Sequence, residues 1–328
     1  MADDERAVVS RLRSAKIDGR TENVRYRQTQ LQYLHRELAA NQDDIRGALR
    51  KDSGFSDAET DVEFANAMNV LRELYDALDF DKSLKDEYSV TRHSDYVQRR
   101  VGVGLVYIEP GTAFPFFSTI APLCAAIAAG NCILLHIDND LRYLPGLLRK
   151  VLTKALDPDT FVFGNNKVNN ESFLTESVQV YQDAEVTLPP QVKVLRSRMS
   201  ARTVAVVDRT ADLESAARSL TEARVAFNGR SSYAPDVVLV NEFVMKAFIE
   251  ACARHVLQYS TKCSSASTTG KRSLEGIMQM LDAEPSATVA AMASNGCVAS
   301  LSSRFVFAVK LYQEITLTSA AGRRRYCG

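Results

Sequence analysis

Apolar residues recur with a helical period along the opening of the chain: Val9, Leu12 and Ala15, then Leu31, Leu34 and Leu38, then Ile45, Ala48 and Leu49. This spacing predicts helices over residues 6–50, the last capped by the stretch 41–44. A longer helix is expected over about 56–80, with Val62, Ala65, Met68, Leu71, Leu74 and Leu78 along one face. The period then drops to two. From Tyr88 to Ile108, β-branched and aromatic residues alternate with polar ones, which predicts a strand hairpin over about 88–108. Within it, Val103 to Ile108 is an apolar run between Gly102 and Pro110, as in a buried strand.

Strand and helix patterns then take turns. A strand at 105–108 leads through the loop 109–116 into an apolar helix at 118–129, ended by Gly130, which readily adopts a left-handed C-cap. A strand at 132–136, a helix at 141–156 and a strand at 160–163 follow, then a strand at 204–207, a helix at 212–227, a strand at 237–240 and a helix at 243–257. Such alternation means a parallel sheet covered by helices. The fold class expected is α/β: a Rossmann-like parallel sheet with helices on both faces, then an incomplete second α/β domain. The expected divisions are 1–207, 208–260 and an irregular segment 261–328 that opens with Ser, Thr, Lys and Gly. In that segment only residues 274–281 have a helical pattern.

Composition narrows the function classes. The chain has 328 residues, 46% apolar and 24% charged, with a formal net charge of zero. Nothing draws it as a whole toward nucleic acid or acidic membranes, and the Arg323–Arg325 run reads as a solvated terminus. No secretion signal opens the chain and no apolar run reaches the length of a membrane helix, so a cytoplasmic protein is expected. The six cysteines, at 124, 132, 252, 263, 297 and 327, show no CxxC pair or metal spacing; free thiols and no metal are expected. Gly102 and Gly104 make no GxGxxG fingerprint and read as bulge or turn glycines.

The chemistry-bearing stretch is Asn228 to Asp236, Asn-Gly-Arg-Ser-Ser-Tyr-Ala-Pro-Asp. Three other blocks precede it in order: Arg27 to Leu31 with Leu34, Asn41, Ile45 and Asp52; Pro115-Phe116, Ile120-Ala-Pro122 and Ala125 to Asn131; and Val206 to Leu213 with Ala216-Ala217. Together they resemble the aldehyde dehydrogenase family, its shorter class-3-like branch in particular, over about residues 25–257. The resemblance implies a cysteine thiolate that attacks an aldehyde, and an oxyanion hole of an Asn side chain and a backbone N–H. It also implies hydride transfer to NAD or NADP and a Glu that activates water.

At the positions the resemblance assigns, the residues differ. Ser232 stands at the nucleophile, Ala113 at the oxyanion Asn and Arg198 at the general base. The cofactor-ribose Lys and its partner Glu correspond to His136 and Asn139. The pyrophosphate turn is expected near Thr187, followed by Pro189 and Pro190, which bring no backbone donors. A serine hydroxyl is barely ionised near neutral pH, and Ala113 has no donor. An arginine accepts no proton. The expectation is a truncated aldehyde-dehydrogenase-like protein without ordinary NAD(P)-dependent aldehyde oxidation: an accessory or scaffold protein, or a decayed paralogue. The alternative is an active NAD(P)-dependent oxidoreductase converting an aldehyde to a carboxylic acid by an altered mechanism. The resemblance implies dimerisation through a hairpin corresponding to residues 88–100; a homodimer or a partner protein stays open, with oligomers weak or absent if the missing segment held the partner strand.

Overall fold

The structure, a computed structural model, describes residues 2–89, 91, 101–137, 142–164, 166–182, 193–197, 203–229, 231, 234–235, 237–262, 287–292, 296–301 and 309–311. The chain forms two compact units, Met1–Met199 and Ser200–Gly328.

In the first unit, helices α1 (Ala2–Asp18), α2 (Val24–Ala40), α3 (Gln42–Ser53), α4 (Asp57–Asp76) and α5 (Phe80–Glu87) precede the sheet. Its strands are β1 (Leu105–Glu109), β2 (Cys132–His136), β3 (Phe161–Gly164), β4 (Val178–Tyr181) and β5 (Lys193–Arg196). They lie in the order β3-β2-β1-β4-β5, and every neighbouring pair is parallel. Helix α6 (Pro115–Ala128) links β1 to β2, α7 (Tyr143–Ala155) links β2 to β3, and the short α8 (Glu171–Glu176) leads into β4. Because side chains alternate along a strand, the sheet buries both faces. Val106, Ile108, Ile133 and Leu135 pack into a core shared with α2, α3, α4, α6 and α7. Leu105, Tyr107, Cys132 and Leu134 pack against Val9, Leu12 and Ala15 of α1 and Phe173 of α8. The Rossmann-like parallel sheet with helices on both faces is therefore present.

The turn from α6 into β2 shows why the Gly130-Asn131 pair sits where it does. Gly130 has a φ of 81°, which side chains rarely adopt. The N–H of Gly130 donates to the Ile127 carbonyl and that of Asn131 to the Ala126 carbonyl, a Schellman ending. The Asn131 side chain then accepts from the Gly104 N–H at 2.9 Å and donates to the Ala126 carbonyl at 3.2 Å, which joins the helix end to the start of β1.

Several boundaries differ from the sequence pattern. Strand β1 begins at Leu105, because Gly104 has a φ of 95° and breaks the extended run that started at Val103. Most of the expected hairpin, 90 and 92–100, lies outside the described residues. The long helix over 56–80 ends at Asp76, and its buried face is Thr60, Glu63, Phe64, Ala67 and Leu71, with Val62 exposed. That face is turned toward α6, where Phe64 stacks on Phe116 at 5.4 Å between ring centroids. Helix α6 starts at Pro115, three residues before the expected Ser118, with proline in its first turn. α8, β4 and β5 carried no sequence signal, being short and, in β4 and β5, alternating with Gln179, Lys193 and Arg196.

In the second unit, β6 (Val204–Val207) pairs in parallel with β7 (Val237–Val240). Helices α9 (Leu213–Val225) and α10 (Met245–Lys262) pack on them through Ala217, Phe248, Ala251 and Cys252. Asp212 caps α9 by accepting from the N–H groups of Glu214 and Ser215. The two units divide between 199 and 200, and β6 pairs with β7 in the second. The segment read as irregular contains β8 (Ala287–Met292), β9 (Gly296–Leu301) and β10 (Val309–Leu311), an antiparallel sheet in the order β10-β9-β8. The expected helix at 274–281 lies outside the described residues.

Candidate functional site

In the first unit, the chain leaves β1 toward β2 on one side, while β4 flanks β1 on the other. The direction of the sheet's strand order reverses between β1 and β4, and ligands of open α/β sheets bind outside the carboxyl ends of strands at such a reversal. A cleft of about 180 Å³ opens there. Its walls include Glu109 at the end of β1, Thr112 and Thr119 around the start of α6, Ile137 after β2, Arg142 before α7 and Gln182 after β4.

Three carboxylates stand at or beside this cleft, and each has a partner within the fold. Asp52, at the end of α3, lines the cleft and accepts from the N–H groups of Tyr143 at 3.1 Å and Leu144 at 2.8 Å. It thereby fills the N-terminus of α7, where a negative charge is favoured. Glu63 does the same for α6. One carboxyl oxygen accepts from the N–H groups of Phe116 at 2.9 Å and Phe117 at 3.1 Å, while its buried Oε2 has no hydrogen-bond partner. Burial drives the Glu63 carboxyl up to about 7 against the two backbone donors, which pull it down. Glu109 pairs with Lys167 at 2.9 Å and accepts from the Tyr107 hydroxyl at 3.2 Å. The guanidinium of Arg142, by contrast, has no ion-pair or hydrogen-bond partner among the described residues.

Of the positions assigned by resemblance, Ala113 and His136 are among the described residues. Ala113 lies half-buried in the turn between β1 and α6, one residue from Thr112 of the cleft wall; its methyl group offers no donor. His136, expected to meet a cofactor ribose, is buried at 4% exposure in the last position of β2, and the next residue, Ile137, lines the cleft. Ser232, Arg198, Asn139, Thr187, Pro189 and Pro190 lie outside the described residues. The nucleophile loop is flanked by a 3-10 turn at Ala226–Gly229 and by β7. Among the described residues, burial pushes the Cys124 thiol well above the usual range, and those of Cys132 and Cys252 up to about 11. The sequence offered no sign of the roles of Asp52 and Arg142. For Glu63 one signal existed, a lone acid among Thr60, Phe64, Ala67 and Leu71 at helical spacing.

A nicotinamide dinucleotide needs donors for its phosphates and partners for its ribose hydroxyls. The donor set of the cleft fits part of it. Arg142 is free for a phosphate, and Thr112, Thr119 and Gln182 offer neutral hydrogen bonds. The N–H groups of Phe116, Phe117, Tyr143 and Leu144 are already engaged by Glu63 and Asp52.

The family model described as the aldehyde dehydrogenase family matches residues 2–271. Aldehyde dehydrogenase family 3 comG of Dictyostelium discoideum is 27% identical over 264 residues, which are 74% of this chain and 55% of that protein. Aldehyde dehydrogenase family 3 member A2 of Pongo abelii is 25% identical over 247 residues, 70% of this chain and 50% of that protein. The chain thus spans about half the length of the curated relatives it matches. Among solved structures, Staphylococcus aureus AldH in a substrate-bound state superposes with a TM-score of 0.65 at 17% identity, covering 87% of this chain and 65% of that one. A NAD-dependent benzaldehyde dehydrogenase from Corynebacterium glutamicum gives a TM-score of 0.67 at 16% identity, covering 96% and 71%. At these identities the superpositions speak to the fold. Among the described residues, no helix is long and apolar enough to cross a membrane.

Proposed function

The chain belongs to the aldehyde dehydrogenase family, and from that premise we propose that it is a non-oxidising member, an accessory or scaffold protein of the cytoplasm that keeps the dinucleotide crevice. The observation that carries this reading is the joint replacement of three catalytic positions, by Ser232, Ala113 and Arg198. The family reaction needs a thiolate, an oxyanion donor and a base together. Loss of one oxyanion donor alone costs about 100- to 1000-fold in rate. A serine without a neighbouring base is not a nucleophile near neutral pH, and a guanidinium in place of the carboxylate holds its proton. A bound nicotinamide would supply a hydride acceptor. This chain's own residues would supply binding, with Arg142, Thr112, Thr119 and Gln182 around the crevice.

The test is an assay of NAD(P) reduction by the purified protein with a panel of aldehydes. No turnover is expected, and Ser232→Cys alone is expected to leave it absent, because Ala113 and Arg198 persist. Aldehyde turnover that disappears in Ser232→Ala, or robust turnover gained by Ser232→Cys, would overturn the proposal.

A further inference from the structure

We propose that Glu63 is a proton-operated latch on one wall of the crevice. Neutral, it holds the start of α6 against α4; ionised, it admits water to its unpaired oxygen and loosens that start together with the turn from Gly111 to Pro115. The latch does not depend on which ligand the crevice takes.

Glu63 is 1% exposed, on the face of α4 turned toward α6. Its Oε1 accepts from the N–H groups of Phe116 at 2.9 Å and Phe117 at 3.1 Å, in the first turn of α6. Its Oε2 is buried and has no hydrogen-bond partner among the described residues. A carboxylate has acceptor sites on both oxygens. Ionised in this place, it would leave one charged oxygen without a donor and out of water, which costs far more than an unpaired neutral O–H. The proton therefore rests on Oε2, and burial holds it there up to about pH 7 against the pull of the two N–H groups. Once the proton leaves, only water can relieve the charge, and water reaches Oε2 only if α6 draws back from α4. The wall of the crevice moves with that step. The Ser118 hydroxyl donates to the Gly111 carbonyl at 2.9 Å, which ties the turn to α6. Gly111, Thr112, Pro115 and Thr119 all line the crevice.

No charge on the surrounding elements takes the place of that proton. On α6 the one titratable side chain is Cys124, kept neutral by burial. On α3, Arg46 lies over the Phe64 ring and pairs with Asp61 at 2.9 Å, Arg50 pairs with Asp57, and Asp52 accepts from the start of α7. On α2 the residues in the shared core are Leu31, Leu34 and Leu38, and Glu37 pairs with Lys154. On α4 itself, Glu59 is held by the Ser56 cap. None of these groups contributes to the shift of Glu63, whose causes are burial and the two N–H groups.

Hydrogen–deuterium exchange of the whole 328-residue protein, from about pH 5.5 to about pH 8.5, tests the latch, with Glu63→Gln beside the wild type. The quantity read is exchange in residues 111–119 relative to residues 148–152 of α7, a ratio in which the ordinary acceleration of exchange by base cancels. In the wild type this ratio should rise about 10-fold and level off above about pH 7. That is the increase linkage gives a group whose pKa falls from about 7 in the closed form to its ordinary value in the open one. Glu63→Gln keeps an oxygen for the two N–H groups and cannot ionise, so its ratio should stay constant with pH. A flat ratio in the wild type overturns the latch, as does a rise that persists in Glu63→Gln. Exchange that rises equally in both segments, beyond the base-catalysed increase, assigns Glu63 to the stability of the whole unit and overturns the latch too. Where the variant does not fold, the wild-type ratio decides alone.

Discussion

Glu63 is the residue whose setting departs furthest from what its chemistry favours. A carboxyl group 1% exposed, bonded through one oxygen to two backbone N–H groups of α6, is held neutral by burial up to about pH 7. Its pKa is raised on folding, so the folded state binds its proton more tightly than the unfolded chain does. That contribution to stability is complete below about pH 4.5 and is lost as pH rises toward 7. Converted from the shift, the loss is on the order of 3 kcal/mol as an upper bound. Glu63→Gln keeps an oxygen for the same two N–H groups and cannot ionise. Its stability in urea should therefore equal that of the wild type near pH 4.5 and exceed it above pH 7; a gap that does not change with pH would sink the assignment. The sequence marks this residue only as a lone acid on an apolar helix face; its role arises only when α4 meets α6. Ala113 and Ser232 are the opposite case. Their positions are legible from the blocks around them, since a missing donor or thiolate is a property of the residue type itself.

Elements were legible where the chain punctuates them. Gly130 ends α6 and Asp212 opens α9; each signal acts through local backbone geometry, which sequence carries directly. β4 and β5 lacked an apolar run, and tertiary pairing, of β4 with β1 and of β5 with β4, decided them instead. The punctuation can be tested by contrasting two glycines. At Gly130 a Cβ would stand 2.8 Å from the Thr21 carbonyl oxygen, on a backbone with φ 81°. At Gly146, inside α7, a Cβ would meet nothing within 4 Å. Gly130→Ala should thus cost about 1–3 kcal/mol, whereas Gly146→Ala should stabilise by about 1 kcal/mol through helix propensity. Chemical denaturation of the two variants reads both signs, and a neutral Gly130→Ala would show that the turn tolerates a side chain.

At the scale of the whole molecule, the two units carry different parts of the family's equipment. The five parallel strands, the cores on both their faces and all the residues lining the crevice lie within Met1–Met199. The nucleophile loop lies in Ser200–Gly328, whose one parallel sheet among the described residues has two strands, fewer than a sheet needs to stand alone. Fold and binding therefore need not depend on the loop that carries Ser232. A fragment of residues 1–199 should unfold cooperatively in urea and retain whatever NAD(P) affinity the whole protein has, while residues 200–262 alone should give no cooperative transition. A 1–199 fragment that is unfolded, or that folds but loses dinucleotide binding, would place part of the crevice's support in the second unit. Retained binding would explain how substitution at Ser232 can accumulate without loss of the crevice, because the residues that hold a ligand are then stabilised apart from the loop that carries Ser232.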